Sequence, residues 1–219
     1  FAYLISKKNY SASSINLARS ALRFFYDFIL KKNIVKEIKA PKINRDLPEI
    51  LTREEIKLML NNCNKLRDKL LISLMYASGL RVSECANLKW SDLDLEDKTG
   101  LLKKGKGGKD RFFILGFNLT KDLKRFKHDN EYVFSNNEKP ISIRTAQRIV
   151  SKIGKKSGIK KKVYAHLLRH SFATHLLDSG VDIRKIQVLL AHSSLSTTQW
   201  YTQVSKENLK KIKSPLDYI

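Results

Sequence analysis

Two segments in the second half of the chain carry residues whose types and spacing suit chemistry on a phosphate group. His166 and Arg169 lie three residues apart in HLLRH, a spacing that puts both side chains on one helix face, within reach of one anion. In AHSSLSTTQWY, His192 ends a predicted helix, and Tyr201 follows nine residues later, beyond a predicted turn. Histidine is common, and a tyrosine beside a tryptophan usually serves packing, so each segment alone is only suggestive.

A third segment adds a cation at a helix start. In YASGLRVSE, Gly79 interrupts an apolar helix, and Arg81 is predicted to begin the next one, where backbone N–H groups favour anions. The planar guanidinium of arginine can bond two phosphate oxygens at once. Metal-free cleavage of a phosphodiester requires a nucleophile, cations that hold the non-bridging oxygens and an acid for the leaving alkoxide. The sequence offers each of these parts.

The charge of the chain indicates a polyanionic partner. Its 219 residues include 43 Lys and Arg against 21 Asp and Glu, for a formal net charge of +22. Such an excess favours nucleic acid over an acidic membrane surface or mere solubility, although charge alone does not choose between DNA and RNA. No run of 18 apolar residues occurs, and Cys63 and Cys85 lack the spacing of zinc ligands, so we expect a cytoplasmic protein without a structural metal.

The first 48 residues predict a helix followed by a linker. Residues 11–30 place apolar side chains on one helical face, with Ser11 as the N-cap. The aromatic cluster of Phe24, Phe25, Tyr26 and Phe28 has the helical spacing and the aliphatic neighbours typical of core packing rather than base stacking. Residues 31–48 are basic, contain two prolines and show little periodicity, which is typical of a linker.

A second domain is predicted to begin near Leu47. Thr52 and Glu55 form a capping-box pattern that opens a helix, and a strongly apolar helix follows over about 65–76. From Gly100, apolar pairs around a glycine-rich centre predict a basic β-hairpin. Ser142 is predicted to cap the next helix. The last predicted helices cover about 166–178, 182–191 and 196–203.

Taken in order, these segments resemble the tyrosine recombinase/integrase family, most closely its Xer branch. The resemblance covers nearly all of residues 47–205 and rests on YASGLRVSE, GKGGKDR, LLRHSFATHLL and LLAHSSLSTTQWYTQVS. It implies a mainly α fold with a small antiparallel β-sheet (α+β). A partial helical core-binding domain and linker would occupy residues 1–44, and the tyrosine-recombinase catalytic domain with its C-terminal tail would occupy 45–219.

The resemblance also implies a role for each matching residue. Tyr201 would attack the scissile phosphate to give a 3′-phosphotyrosyl bond and a free 5′-hydroxyl. Arg81 and Arg169 would clamp the phosphate, and His192 would donate a further hydrogen bond. Lys106 would protonate the leaving oxygen, and His166 would assist proton movement at Tyr201. Three lysines of the hairpin region are expected to contact the DNA backbone instead: Lys103, Lys104 and Lys109. Arg111 is also expected to bind DNA.

No metal or cofactor is implied, because arginines would supply the positive charge of a metal nuclease. The implied partner is a double-stranded DNA target site. A homotetramer, or a pair of different recombinases, would assemble on two sites and exchange C-terminal segments, for which residues 206–219 are the candidate. The enzyme is expected to be associated with the nucleoid.

Two positions depart from the family pattern. Ala191 stands where glycine normally precedes the second histidine, and Leu167 lies where a polar residue is frequent between His166 and Arg169. Neither removes a catalytic group. A type IB topoisomerase shares the same catalytic residue types, and a catalytically silent DNA-binding protein could retain the fold. Both alternatives are less favoured, because the motif spacing is Xer-like and all six catalytic residues are present.

Overall fold

A computed structural model of the chain describes Tyr3 and residues 10–36, 38–39, 41, 49–103 and 110–190. The chain divides into two compact units, Phe1–Asp46 and Leu47–Ile219. The described residues are mainly helical, with two small antiparallel sheets, which confirms the predicted fold class. Among them, no helix has both the length and the apolar character needed to cross a membrane.

The first unit contains helix α1, Ala12–Arg23, which continues as a π-helical segment, Phe24–Ile29. Ser11 caps α1 as predicted, because its Oγ accepts a hydrogen bond from the Ser14 N–H at 3.3 Å. The prediction that the aromatic cluster is buried is wrong for its three phenylalanines. Phe24, Phe25 and Phe28 are 62%, 50% and 77% exposed, and Phe24 and Phe28 stack on each other. The sequence pattern identifies an apolar face but does not show whether another element covers it.

The second unit provides seven α-helices within its described residues. They are α2 (Arg53–Asn61), α3 (Leu66–Ala77), α4 (Val82–Ala86), α5 (Phe117–Phe126), α6 (Ile143–Lys156), α7 (Ala165–Asp178) and α8 (Ile183–Leu190). The Thr52/Glu55 capping box at the start of α2 and the Ser142 cap of α6 are both confirmed.

The strands of this unit form two antiparallel sheets. They are β1 (Leu93–Asp94), β2 (Thr99–Leu102), β3 (Arg111–Ile114), β4 (Ser135–Asn136) and β5 (Lys139–Pro140). The larger sheet has the order β1-β2-β3, and β4 pairs with β5. The predicted hairpin is confirmed by the pairing of β2 with β3, in which Leu102 lies opposite Arg111. This register directs Arg111 and Phe113 toward the interior of the protein, whereas Phe112 is exposed.

Helices α3 and α7 form the centre of the core. Both bury side chains around most of their circumference, and they pack against each other. A helix that is buried on several sides must be surrounded by other elements, which accounts for the central position of these two. Helix α7 carries His166 in its first turn and Arg169 at the start of its second turn. The core therefore fixes the helix that presents both predicted site residues.

Polar contacts also attach the first residues of the second unit to α7. The Leu51 N–H donates to Ser171 Oγ at 2.9 Å, and Arg53 Nη2 donates to Ser179 Oγ at 3.0 Å. On the same helix, His175 Nδ1 lies 2.8 Å from Tyr76 Oη of α3. His175 is therefore a packing residue that joins α3 to α7.

We expect Gly79→Ala to destabilise the protein strongly, because residue 79 joins α3 to the Arg81 segment in a left-handed conformation. Its φ is +60°, and an added Cβ would lie 2.5 Å from Phe172 Cδ1 and 2.8 Å from Leu190 Cδ2. Left-handed strain and overpacking together should cost roughly 3 kcal/mol in the free energy of unfolding. Thermal unfolding would show this cost as a fall in Tm of about 2–4 °C per kcal/mol.

Gly180→Ala is the matched control for this prediction. Gly180 also has a positive φ, +83°, but nothing lies within 4 Å of its added Cβ. Its variant should show the left-handed cost alone, about 1 kcal/mol. Equal losses of Tm in the two variants would contradict the packing argument at Gly79.

Candidate active site

A cleft of about 410 Å³ lies between the Arg81 segment, α6 and the start of α7. Arg81 and His166 both line it, so the structure brings together two of the predicted site residues that are 85 positions apart in the sequence. The other lining residues are Leu80, Val82, Ser83, Gln147, Ser151, Lys162, Val163, Tyr164 and Ala165. Among the lining side chains, Arg81 and Lys162 supply positive charge and none is acidic, which suits an anionic ligand.

Arg81 is held at the start of α4 by Glu84. The backbone N–H of Arg81 donates to Glu84 Oε2 at 2.7 Å, and its Nη1 donates to Glu84 Oε1 at 2.7 Å. Arg81 is the N-cap residue of α4, which confirms the predicted helix start. Glu84 therefore fixes both the backbone and the guanidinium of Arg81.

Arg169 is buried next to this pair. Its side chain is 1% exposed, Nη1 donates to the Gly79 carbonyl at 2.5 Å, and Nη2 donates to the Leu190 carbonyl. Nη1 also lies 4.0 Å from Glu84 Oε2. The guanidinium thus connects the turn before Arg81 to the last residue of α8, and it stabilises the carbonyl end of that helix as cations generally do.

Glu84 is the site residue that the motif analysis did not single out. Its carboxylate contacts Arg81 and Arg111 and lies near Arg169. Although burial opposes ionisation, the charge of Arg111 and the hydrogen bonds from Arg81 outweigh it and lower the pKa of Glu84. The available sequence signal was a glutamate at the third position of the helix that Arg81 begins, the usual place for a reciprocal cap.

Arg111, which the sequence predicts to bind DNA, is buried in the second unit. Its side chain is 5% exposed, and its guanidinium is bound to the Glu84 carboxylate at 2.5 Å and to the Leu189 carbonyl. The inward direction of alternate residues in β3 accounts for this burial. In this structure the guanidinium of Arg111 is thus bound by protein groups rather than exposed on the basic surface.

His166 and His170 stack edge to face in the first two turns of α7, with ring centroids 4.4 Å apart. The pKa of His166 is lowered, first by partial loss of hydration and then by the charges of Arg169 and Arg81. The same causes, burial first and then the charges of His166 and Arg169, lower the pKa of His170 to about 4. Both rings are therefore neutral at pH 7, and a neutral His166 can accept a proton.

We expect acid to destabilise the fold partly through His170. A histidine whose folded pKa is lowered binds fewer protons when folded, so its stabilising effect is present above its ordinary pKa of 6.5 and is lost as pH falls toward 4. In that window the loss should be on the order of 1 kcal/mol per pH unit, or about 2–4 °C in Tm. Thermal melts of wild type and His170→Gln at pH 7 and pH 5 measure it. The variant should lose less Tm on acidification, and an equal loss in both proteins would disprove this contribution.

Several predicted site residues lie outside the described part of the chain. These are Lys104, Lys106 and Lys109 of the hairpin, together with His192, Tyr201, the helix predicted over 196–203 and the tail 206–219. Lys103 is described, and it is exposed directly after β2.

Comparisons with known proteins identify the family. The sequence model of the phage integrase family matches residues 49–208. A tyrosine recombinase XerA of Pyrococcus horikoshii is 41% identical over 219 residues, which covers 96% of this chain and 76% of the relative. A tyrosine recombinase XerC of Pediococcus pentosaceus is 36% identical and covers 96% and 77% of the two chains.

Solved structures agree with the sequence relatives. A crystal structure of a XerA recombinase has a TM-score of 0.69 and 34% identity, over 96% of this chain and 78% of that chain. A XerH recombinase bound to palindromic difH substrate, in a post-cleavage complex, has a TM-score of 0.78 and 27% identity, over 95% and 68%. The family match covers Arg81 and His166, which line the cleft, and the chain belongs to the phage integrase family and is a tyrosine recombinase.

Proposed function

We propose that this chain is a site-specific recombinase that cleaves and rejoins duplex DNA through a 3′-phosphotyrosyl bond to Tyr201. The observation that carries the proposal is the cluster of three arginines around Glu84 at a cleft lined by Arg81 and His166. Positive charge held in place before the reaction is the main requirement for phosphoryl transfer without a metal.

The charge of this cluster suits the reaction. Arg81, Arg111 and Arg169 with the ionised Glu84 leave a net charge of +2. A phosphodiester carries one negative charge, and a five-coordinate phosphorus formed by attack of an oxyanion carries two. A fixed surplus of this size stabilises the transition state more than the ground state, which is the condition for catalysis.

Each proposed residue has one role in the cleavage step. The Tyr201 oxygen forms a bond to phosphorus as the bond to the 5′ oxygen breaks, and the phenol proton passes toward neutral His166. Lys106 gives a proton to the 5′ oxygen. Arg81, Arg169 and His192 hold the non-bridging oxygens. The phosphotyrosyl bond retains the energy of the broken linkage, so attack by a 5′-hydroxyl reverses the step.

Duplex DNA is the proposed substrate, and the exposed Lys103 with Lys104 and Lys109 would hold its backbone. The XerH neighbour is bound to difH DNA, and a λ integrase of the same fold is a dimer on its core site. We extend this assembly to a tetramer on two sites, in which residues 206–219 are exchanged between subunits and residues 1–44 form part of a core-binding domain. The reaction would take place on DNA of the cytoplasm.

Deletion of residues 206–219 should then leave binding to one site intact and abolish pairing of two sites in mobility-shift gels.

A plasmid assay separates recombination from the two alternatives. A binding site selected from pooled genomic duplexes is cloned twice, as a direct repeat, into a supercoiled plasmid. A recombinase gives two smaller circles of lengths set by the site positions. Relaxed plasmid without new circles would indicate a type IB topoisomerase, and bound but unchanged plasmid would indicate a silent DNA-binding protein.

A further inference from the structure

Arg111 is the first residue of β3, and its buried side chain connects three elements of the second unit. Nη2 donates to Glu84 Oε2 at 2.5 Å, and Nη1 donates to the carbonyl of Leu189. The guanidinium therefore joins β3, the second strand of the hairpin, to α4 and to the last turn of α8.

These contacts reach both halves of the proposed phosphate clamp. Glu84 also binds the backbone and the guanidinium of Arg81. Leu189 precedes Leu190, whose carbonyl accepts from Arg169, and it lies three positions before His192 in the sequence. One buried cation thus touches the residue that fixes Arg81 and the helix end that Arg169 also holds.

Packing alone does not account for a charge at this position. Burial of a guanidinium is costly unless charge-assisted hydrogen bonds compensate for lost hydration. Phe113, two residues later on the same face of β3, is 1% exposed, so this face of the strand accommodates an apolar side chain. Loss of hydration lowers the pKa of Arg111 and the Glu84 charge opposes this shift, so Arg111 remains a cation that neutralises Glu84.

We infer that Arg111 is a positioning residue of the cleavage reaction, one that keeps the Glu84 carboxylate from binding Arg81 too tightly and fixes the helix end before His192. The inference rests on the proposed recombinase function. Without Arg111, the Glu84 charge would be balanced only by Arg81 and the more distant Arg169. The surplus positive charge of the cluster would fall from +2 to +1, and Arg81 would be held toward the carboxylate rather than toward a phosphate.

The test measures single-turnover formation of the covalent protein–DNA complex on a nicked duplex, with DNA binding and Tm measured in parallel. The variants are Arg111→Met, which removes the charge, and Arg111→Lys, which keeps the charge without the fork. Arg125→Met on α5 is the matched control, because Arg125 is an exposed arginine outside the site. Each variant is made in the wild-type protein and in the Arg81→Lys protein. The resulting double-mutant cycle reports whether Arg111 acts through Arg81.

We expect Arg111→Met to slow cleavage roughly 30-fold and Arg111→Lys to be intermediate, with DNA affinity changed less than about threefold. In the Arg81→Lys background the further loss should shrink below about threefold, and Arg125→Met should have no effect in either background.

Three outcomes would overturn the inference without refuting the proposed function. Cleavage by both Arg111 variants within twofold of wild type would exclude a positioning role while leaving the proposed function intact. If Arg111→Met lowered the cleavage rate by the same factor in the wild-type and Arg81→Lys backgrounds, its role would be purely structural. If the Arg111 variants bound DNA more weakly, and the slope of log affinity against log salt concentration were smaller by about one, Arg111 would instead contact a phosphate directly. A wild-type protein that forms no covalent complex at all would refute the proposed function itself, and the inference with it.

Discussion

Tyr201→Phe is expected to form no covalent protein–DNA complex, whereas the wild type forms one on the same nicked duplex. Phenylalanine keeps the ring but removes the oxygen that bonds to phosphorus, so the loss should be complete within detection. The nick lets the 5′-hydroxyl fragment diffuse away after cleavage, which prevents religation and traps the adduct. Denaturing electrophoresis of labelled duplex measures it as a band of lower mobility.

The controls for this prediction concern binding and metal. The variant should bind the duplex as tightly as wild type, and the wild-type band should persist in EDTA, because the arginine cluster rather than a metal ion supplies the positive charge. A band that persists in Tyr201→Phe would move the nucleophile to another residue. A band that disappears in EDTA would remove the metal-free mechanism.

Arg81→Lys is expected to lower the single-turnover cleavage rate by about 100-fold, as does the loss of one transition-state hydrogen-bond donor in other enzymes. Lysine keeps the positive charge at the cleft but cannot bond Glu84 and a phosphate through separate nitrogens of a planar fork. The measurement is the rate of adduct formation at saturating protein, which separates cleavage from binding.

Folding must remain intact for the Arg81→Lys result to report on chemistry. The Arg81 side chain is 23% exposed, and its backbone N–H bond to Glu84 does not depend on the side chain, so Tm should fall little. Arg125→Lys, at an exposed position on α5, should match wild type in both rate and Tm. Unchanged cleavage in Arg81→Lys would contradict the clamp role of this residue.

Local sequence signals predicted the elements that carry the site. The Thr52/Glu55 capping box, the Ser142 cap and Arg81 at a helix start are each fixed by hydrogen bonds between residues a few positions apart. The β2–β3 hairpin and the apolar helices α3 and α7 follow from periodicity, which is also local. Because each of these signals depends on neighbouring residues, the sequence suffices to predict the element.

Burial and pairing across the fold were not predictable in the same way. The sequence presented Arg111 as one more cation of a basic hairpin, and it presented Phe24, Phe25 and Phe28 as core residues. In the structure Arg111 is buried against Glu84, and the three phenylalanines are exposed. Which face of a strand or helix is covered depends on elements far away in the chain, and periodicity carries no information about them.

The sequence by itself determined the residue types of the chemistry, their order and the family to which the chain belongs. Only the tertiary structure decided that Arg169 is buried and bound to Gly79 and Leu190, and that a single carboxylate, Glu84, joins Arg81 to Arg111. The physical reason is that motifs record which groups are present within a few residues. The charges and carbonyl groups that surround each site residue come from partners up to 90 positions away, which packing of the core brings together.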